Sequence, residues 1–303
     1  MSTIWNGVIP AITTKFNADG SVDHSFFAEH CRWMLDAGCT GIVPLGSLGE
    51  GATLTFDEKA ALLRTAVEAA AGRATIIPGI AALSTAEAVR LARTAVESGC
   101  GGLMVLPPYI YSTDWREMKA HVSAVISATG LPVMLYNNPL AYKTDFLPEQ
   151  IVELCHDHAN LEAVKESSSD VRRITAIKAL LGDRLSILVG VDDAIVEGIM
   201  AGATGWIAGL VNAFPAESVE LFNLALAVRA GQGDRARLDA LYAWFLPLLR
   251  LDVVPKFVQL IKLTQELAGM GSAAVRAPRL ELAGAEREAA VAVIEHALAN
   301  RPR

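Results

Sequence analysis

The chain lacks the marks of several large protein classes. It has four cysteines, Cys31, Cys39, Cys100 and Cys155, and no two form a CxxC pair. That spacing fits neither a zinc ribbon nor a redox dithiol, so small, buried, reduced side chains are expected. The six histidines are scattered. His156 and His158 fall in a predicted helix, where positions i and i+2 face apart, so no metal site is expected. No apolar run is long enough to span a bilayer. The uncharged, largely apolar stretch Gly198 to Phe214 is short for a span and carries Asn212. The first ten residues show no basic flank and no apolar signal core. Basic clusters are also missing: 26 Lys and Arg stand against 33 Asp and Glu, for a net charge of −7 and a pI near 5.4. An acidic chain of this kind argues against nucleic-acid partners and against anionic membrane surfaces.

What is present is a large apolar core in a chain of 303 residues, 52% of them hydrophobic. That length holds two ordinary domains or one α/β barrel with an appendage. A short pattern recurs three times: Ala37-Gly38-Cys39-Thr40-Gly41, Ser98-Gly99-Cys100-Gly101-Gly102 and Ala201-Gly202-Ala203-Thr204-Gly205. Each copy follows an amphipathic stretch and opens an apolar run. A helix ended by glycine in the left-handed conformation, then a tight turn into a buried strand, explains it. Repetition of that unit implies βαβ connections and a parallel sheet.

Eight strands are predicted, near Gly7–Thr13, Gly41–Leu45, Thr75–Gly79, Gly102–Leu106, Pro132–Tyr136, Leu161–Lys165, Ser186–Val189 and Gly205–Ala208. Thr55-x-x-Glu58 and Ser84-x-x-Glu87 have the form of capping boxes. The second of these opens a helix whose apolar stripe is predicted to hold Ala88, Leu91, Ala92, Ala95 and Val96. No strand reads as a polar edge, so a closed (β/α)₈ TIM barrel fits better than an open sheet. The expected division is a catalytic barrel over residues 1–230 and a C-terminal helical extension over 231–303, packed on the barrel. Its helices are predicted at Asp234–Leu249, Val254–Ala268 and Ala285–Asn300, with breaks or kinks at Pro247 and Pro255.

In such a barrel the active site lies at the C-terminal ends of the strands. Lys165 ends the sixth predicted strand, delivered to the mouth by Leu161-Glu162-Ala163-Val164. A lysine there is poorly solvated, its pKa falls, and the neutral amine can attack a carbonyl or imine carbon. A solvated lysine at a strand end is the plainer alternative, and Lys15 and Lys143 lie near the same mouth. Tyr136 ends the fifth strand, where its phenol can shuttle a proton or merely fill the barrel top. Tyr109 has the same two readings. Gly46-Ser47-Leu48-Gly49-Glu50 is a turn whose free N–H groups and Ser47 hydroxyl suit a carboxylate, although tight connections of this form are common. Asp192 and Asp193 read as helix N-terminal caps.

Taken together, GSLGE, YNNP and VKESS, in that order after the second, fifth and sixth strands, resemble the dihydrodipicolinate synthase/N-acetylneuraminate lyase family of class I aldolases. The resemblance covers essentially the whole chain. It implies that Lys165 forms the Schiff base, with Tyr136 and Ser47 as its catalytic partners. It implies a substrate pocket formed by Leu48, Gly49, Tyr109, Asn138, Val191 and Ile207. No metal or other cofactor is implied, and the partner is a small 2-oxo acid or cyclic imine carboxylate. A cytoplasmic homo-oligomer, tetramer or dimer, is expected. The synthase branch carries Thr-Thr where Ser47-Leu48 stands, and an arginine where Ala141 stands. Val171-Arg172-Arg173-Ile174-Thr175, Gly190-Val191-Asp192-Asp193, Gly209 to Pro215 and Ala277-Pro278-Arg279-Leu280 instead resemble 1-pyrroline-4-hydroxy-2-carboxylate deaminase, of hydroxyproline degradation. The expected reaction is therefore dehydration and deamination of that imine to 2-oxoglutarate semialdehyde and ammonia. The alternatives are a 2-oxo acid aldolase or dehydratase, such as 4-hydroxy-tetrahydrodipicolinate synthase or a 2-keto-3-deoxy sugar acid enzyme, and a non-catalytic ligand-binding barrel.

Overall fold

The computed structural model describes residues 4–108 and 114–302. Nine short strands alternate with helices over these residues: β1 (Gly7–Pro10), β2 (Gly41–Ile42), β3 (Thr75–Ile76), β4 (Gly79–Ile80), β5 (Leu103–Val105), β6 (Val133–Asn137), β7 (Leu161–Glu166), β8 (Ser186–Val189) and β9 (Gly205–Ala208). All their pairings are parallel. Seven strands form one run in the order β1-β9-β8-β7-β6-β5-β4, and β2 pairs with β3. Hydrogen bonds close the ring. Val43 N–H donates to Pro10 O at 2.8 Å and Ile77 N–H to Ile42 O at 2.9 Å. β3 and β4 are one barrel stave, interrupted at Pro78, which has no N–H for the ladder. The eight predicted staves are thus present as a (β/α)₈ barrel. The predicted second strand is shorter than expected, because the chain turns left-handed at Leu45, φ 65°.

The three Gly-containing repeats behave as the pattern requires: Gly38, Gly99 and Gly202 have φ of 103°, 84° and 114°. Each ends a helix and releases the chain into a strand. The strands are buried on both faces, as parallel strands under a helical layer must be. Each fully buried Leu or Ile contributes roughly 1.5–3 kcal/mol. Thr55 and Glu58 form both halves of a capping box, whereas Ser84 makes only the first half, accepting from Glu87 N–H. Of the predicted stripe on helix Thr85–Glu97, Ala88, Leu91, Ala92 and Ala95 are buried, while Val96 is exposed. A helical step of 100° carries Val96 past the edge of the stripe.

Beyond residue 230 the chain is helical, with helices Arg235–Leu249, Phe257–Leu267 and Gly284–Ala299. The first runs through Pro247. Two features of this region reach the site. Helix Phe257–Leu267 sends Lys262 into the barrel, where its ammonium donates to Thr14 O at 2.9 Å and meets Glu50 Oε1 at 2.8 Å. The turn Arg250–Asp252 brings Asp252 to the wall of the central cavity. No helix of the described residues is long and apolar enough to cross a membrane.

Candidate active site

The register of β6 against β7 sets the site. Tyr136 is paired with Lys165, and Asn137 with Glu166. Side chains alternate along a strand, so adjacent partners share a face. Tyr136 and Lys165 therefore project together, and Asn137 and Glu166 project together on the other side. The second pair is scaffolding. Asn137 Nδ2 donates to Glu166 Oε2 at 3.2 Å and to Asp145 at 3.1 Å, and Asn137 Oδ1 accepts Phe146 N–H at 3.0 Å. Arg173 binds Asp145 with two nitrogens and closes this outer layer.

The inner pair opens on a cavity of about 480 Å³ at the C-terminal ends of the strands. Lys165 is buried, and its Nζ stands 4.2 Å from the centre of the Tyr136 ring. Among the described residues it has no hydrogen bond or ion pair. Its aliphatic stem passes over Gly190, where a Cβ would lie 2.5 Å from Lys165 Cε and 2.0 Å from Ser167 Oγ. Burial pulls the Lys165 pKa down to about 8, against the opposing pull of Asp252 and Asp192. At a pH of about 8 half of the amine is then unprotonated and nucleophilic.

Burial pushes the Tyr136 phenol up, partly offset by hydrogen bonds, first from Asn138. Asn138 Nδ2 donates to the phenol oxygen at 3.0 Å, while Asn138 Oδ1 accepts Ala141 N–H and caps the short helix Pro139–Tyr142. That helix carries Tyr142. Its ring meets Tyr136 edge-on at 5.7 Å, and its hydroxyl lies 2.5 Å from Ser47 Oγ. Tyr136, Tyr142 and Ser47 thus form one run of exchangeable protons beside Lys165.

Ser47 sits in a turn bounded by Leu45 and Glu50, both left-handed at φ 65° and 54°. Side-chain-bearing residues there are strained by roughly 1–3 kcal/mol each. The turn is held by Glu50, which is fully buried and receives Lys262 Nζ and Arg276 N–H. The N–H groups of Ser47 and Leu48 donate to no acceptor among the described residues. Such paired free donors suit a carboxylate. Two further left-handed residues, Lys143 and Ser169, follow the YNNP and VKESS motifs, so left-handed backbone stands at or just after each of the three motifs.

Ser47, Leu48, Tyr136, Asn138, Lys165, Val191 and Ile207 all border the cavity. Gly49 does not. Its carbonyl accepts the Thr14 hydroxyl at 2.7 Å and its Cα packs on Ile12 O, so it shapes the turn instead of facing a ligand. Tyr109 lies outside the described residues. Of the two other lysines near the mouth, Lys15 pairs with Asp23 at 3.1 Å and Lys143 is exposed; neither borders the cavity. The capping role expected for Asp192 is corrected. Its carboxylate accepts Trp206 Nε1, Gly209 N–H and Leu210 N–H, which ties the end of β8 to the end of β9. Two residues not singled out in the sequence stand at this cavity: Asp252 borders it, and Tyr142 reaches it through its contact with Ser47. The signal for Asp252 was a lone acid in the apolar run Leu251-Asp252-Val253-Val254-Pro255. For Tyr142 it was a second tyrosine one short turn after YNNP.

Comparison with known proteins follows the same outline. The Dihydrodipicolinate synthetase family matches residues 5–297. The chain is 35% identical over 301 residues to 4-hydroxy-tetrahydrodipicolinate synthase of Xanthomonas axonopodis pv. citri (strain 306), covering 97% of this chain and 95% of that protein. The crystal structure of dihydrodipicolinate synthase from Aquifex aeolicus superposes with a TM-score of 0.90 at 28% identity, over 96% of this chain and 97% of that one. The chloride-inhibited dihydrodipicolinate synthase of Acinetobacter baumannii, complexed with pyruvate, gives a TM-score of 0.90 at 26% identity, over 97% and 99% of the two chains.

Proposed function

The chain belongs to the dihydrodipicolinate synthetase family, an enzyme of the class I aldolase superfamily of lyases, and from that premise we propose that Lys165 is its Schiff-base nucleophile, acting on a 2-oxo acid or a cyclic imine of one. The observation that carries this is the Lys165 amine itself: buried, unpaired among the described residues, and set over the Tyr136 ring in the cavity wall. The free N–H groups of Ser47 and Leu48 hold the substrate carboxylate. Tyr136, Tyr142 and Ser47 move protons between substrate and solvent.

The cavity lining narrows the substrate. Among the described residues it contains one cationic side chain, Lys165, and that one becomes the covalent link. Where an arginine would reach a second carboxylate stands Ala141. A substrate with one carboxylate fits, and 1-pyrroline-4-hydroxy-2-carboxylate has one. Lys165 attacks its C2, and the ring nitrogen leaves C2 as a primary amine on C5. The resulting iminium acidifies C3–H; loss of that proton and of the C4 hydroxyl as water leaves a conjugated iminium. Proton shifts move the double bond to the C5 nitrogen. Hydrolysis there releases ammonia, and hydrolysis at C2 frees Lys165 and 2-oxoglutarate semialdehyde. One water is lost and two are taken up. We read residues 1–230 as the catalytic barrel and 231–303 as a region packed on it that completes the site through Asp252 and Lys262. A homotetramer or homodimer accompanies this reading, tested by light scattering.

The names of the relatives favour a second reading, 4-hydroxy-tetrahydrodipicolinate synthesis from pyruvate. Borohydride trapping with each substrate, followed by peptide mass analysis, tests the shared premise: the adduct falls on Lys165, and full activity in Lys165→Ala would sink it. Ammonia release from the hydroxypyrroline, against pyruvate consumption with an aldehyde acceptor, separates the two readings.

A further inference from the structure

We propose that Asp252 is a second catalytic residue, the acid that delivers a proton to the substrate hydroxyl as it leaves. The inference rests on the reading above, in which Lys165 holds the substrate and water is lost. Asp252 is the sole carboxyl group among the described residues bordering the cavity. Its neighbour Asp192 is committed to structure, with both oxygens occupied by N–H donors. The Asp252 carboxyl has no hydrogen-bond partner among the described residues. Its carboxyl instead lies against the bare Cα of Gly209, where a Cβ would stand 2.0 Å from Oδ1 and 2.5 Å from Cγ. The end of β9 therefore leaves room for this carboxyl at the cavity wall.

Its protonation state suits the task. Burial raises its pKa well above the ordinary carboxylate value; Asp192 and Asp193 push it further up, and Lys165 pulls it down. Tyr136 is the remaining titratable group that feels it, and Arg250 on the same turn points to Asp193 at 3.9 Å. An ammonium–carboxylate pair at Lys165 and Asp252 contains the same protons as a neutral amine and a neutral acid. In a poorly solvated cavity the charged arrangement costs more, so the neutral one gains. One proton transfer thus yields both a nucleophile and an acid. In the dehydration step the C3 proton passes to solvent through the Tyr136–Tyr142–Ser47 run, the C3–H electrons form the C3=C4 double bond, the C4–O bond breaks, and the Asp252 proton leaves on the oxygen as water. The Asp252 carboxylate then takes a proton from C5, as the double bond migrates toward nitrogen, and is restored.

The test combines turnover with the mass of the borohydride-trapped adduct, using 1-pyrroline-4-hydroxy-2-carboxylate. Wild type traps a dehydrated adduct on Lys165. In Asp252→Asn, turnover falls by roughly 100-fold or more, the span of general acid catalysis, and the trapped adduct is heavier by one water. Asp252→Ser gives the same heavier adduct, which guards against a fold defect peculiar to one variant. A dehydrated adduct formed at the wild-type rate in both variants overturns the role of Asp252 and leaves Lys165 untouched. No adduct on Lys165 in wild type overturns both.

Discussion

In water a lysine ammonium satisfies its three donors with solvent, and Lys165 has exchanged that shell for the face of a tyrosine ring. The cost falls on the charged form, which is why its pKa drops to about 8 from 10.5. The sign of the pH dependence follows. Adduct formation requires the neutral amine, so kcat/KM rises with pH and levels off above about 8. The Asp192 carboxylate favours the ammonium and holds this limb up, and the pH profile of adduct formation by trapping measures where the limb falls. A limb that stays near the ordinary lysine value in wild type would contradict the burial argument. Lys165 was legible in the sequence because an apolar strand and two companion motifs single it out. Asp252 was not, because nothing local says which wall a distant helical turn will meet.

The motif turns are where local preference and tertiary structure disagree. Leu45, Glu50, Lys143 and Ser169 occupy a backbone region that a Cβ disfavours. A turn of this kind persists only if something holds it. For GSLGE the holder is the buried ion pair of Glu50 with Lys262 at 2.8 Å, backed by Arg276 N–H. Removing one partner of such a pair leaves the other charge buried and costs about 3–5 kcal/mol. Lys262→Met is therefore expected to lower the thermal midpoint. It should also weaken substrate binding, because the Ser47 and Leu48 donors lose their frame. Calorimetry and KM check the two effects together; a stability loss with unchanged KM would show that the turn keeps its shape unaided. The sequence carried the turn itself, but not its latch, since Lys262 reads as one more helical lysine.

At the scale of the whole molecule, one buried histidine lies where the helical layer of the barrel meets the C-terminal helices. His30, on helix His24–Asp36, is fully buried. Its Nε2 lies 3.0 Å from Asn212 O and 3.4 Å from Gln265 Nε2 of helix Phe257–Leu267. Burial depresses its pKa from 6.5 to about 4. Between those values the unfolded chain takes up a proton that the folded chain refuses. Stability is therefore lost as pH falls from 6.5 toward about 4, at up to about 1.4 kcal/mol per unit. His30→Gln should flatten that slope in denaturant titrations, and an unchanged slope would place the acid sensitivity elsewhere. The barrel was readable in the sequence because its cause is local. Glycine after an amphipathic helix, then a buried strand, dictates the same unit each of the three times it occurs, and eight buried parallel strands have few ways to close. The place of Lys165 at the mouth was readable for the same reason, since one strand delivers it, but its choice over Lys15 and Lys143 came from the companion motifs. The tertiary structure alone decided what surrounds Lys165, because the Tyr142–Ser47 contact, the Asp252 carboxyl and the Lys262 latch join residues from separate elements. Sequence patterns encode which face each element buries, whereas the closure of the ring and the return of the C-terminal helices decide which side chains meet.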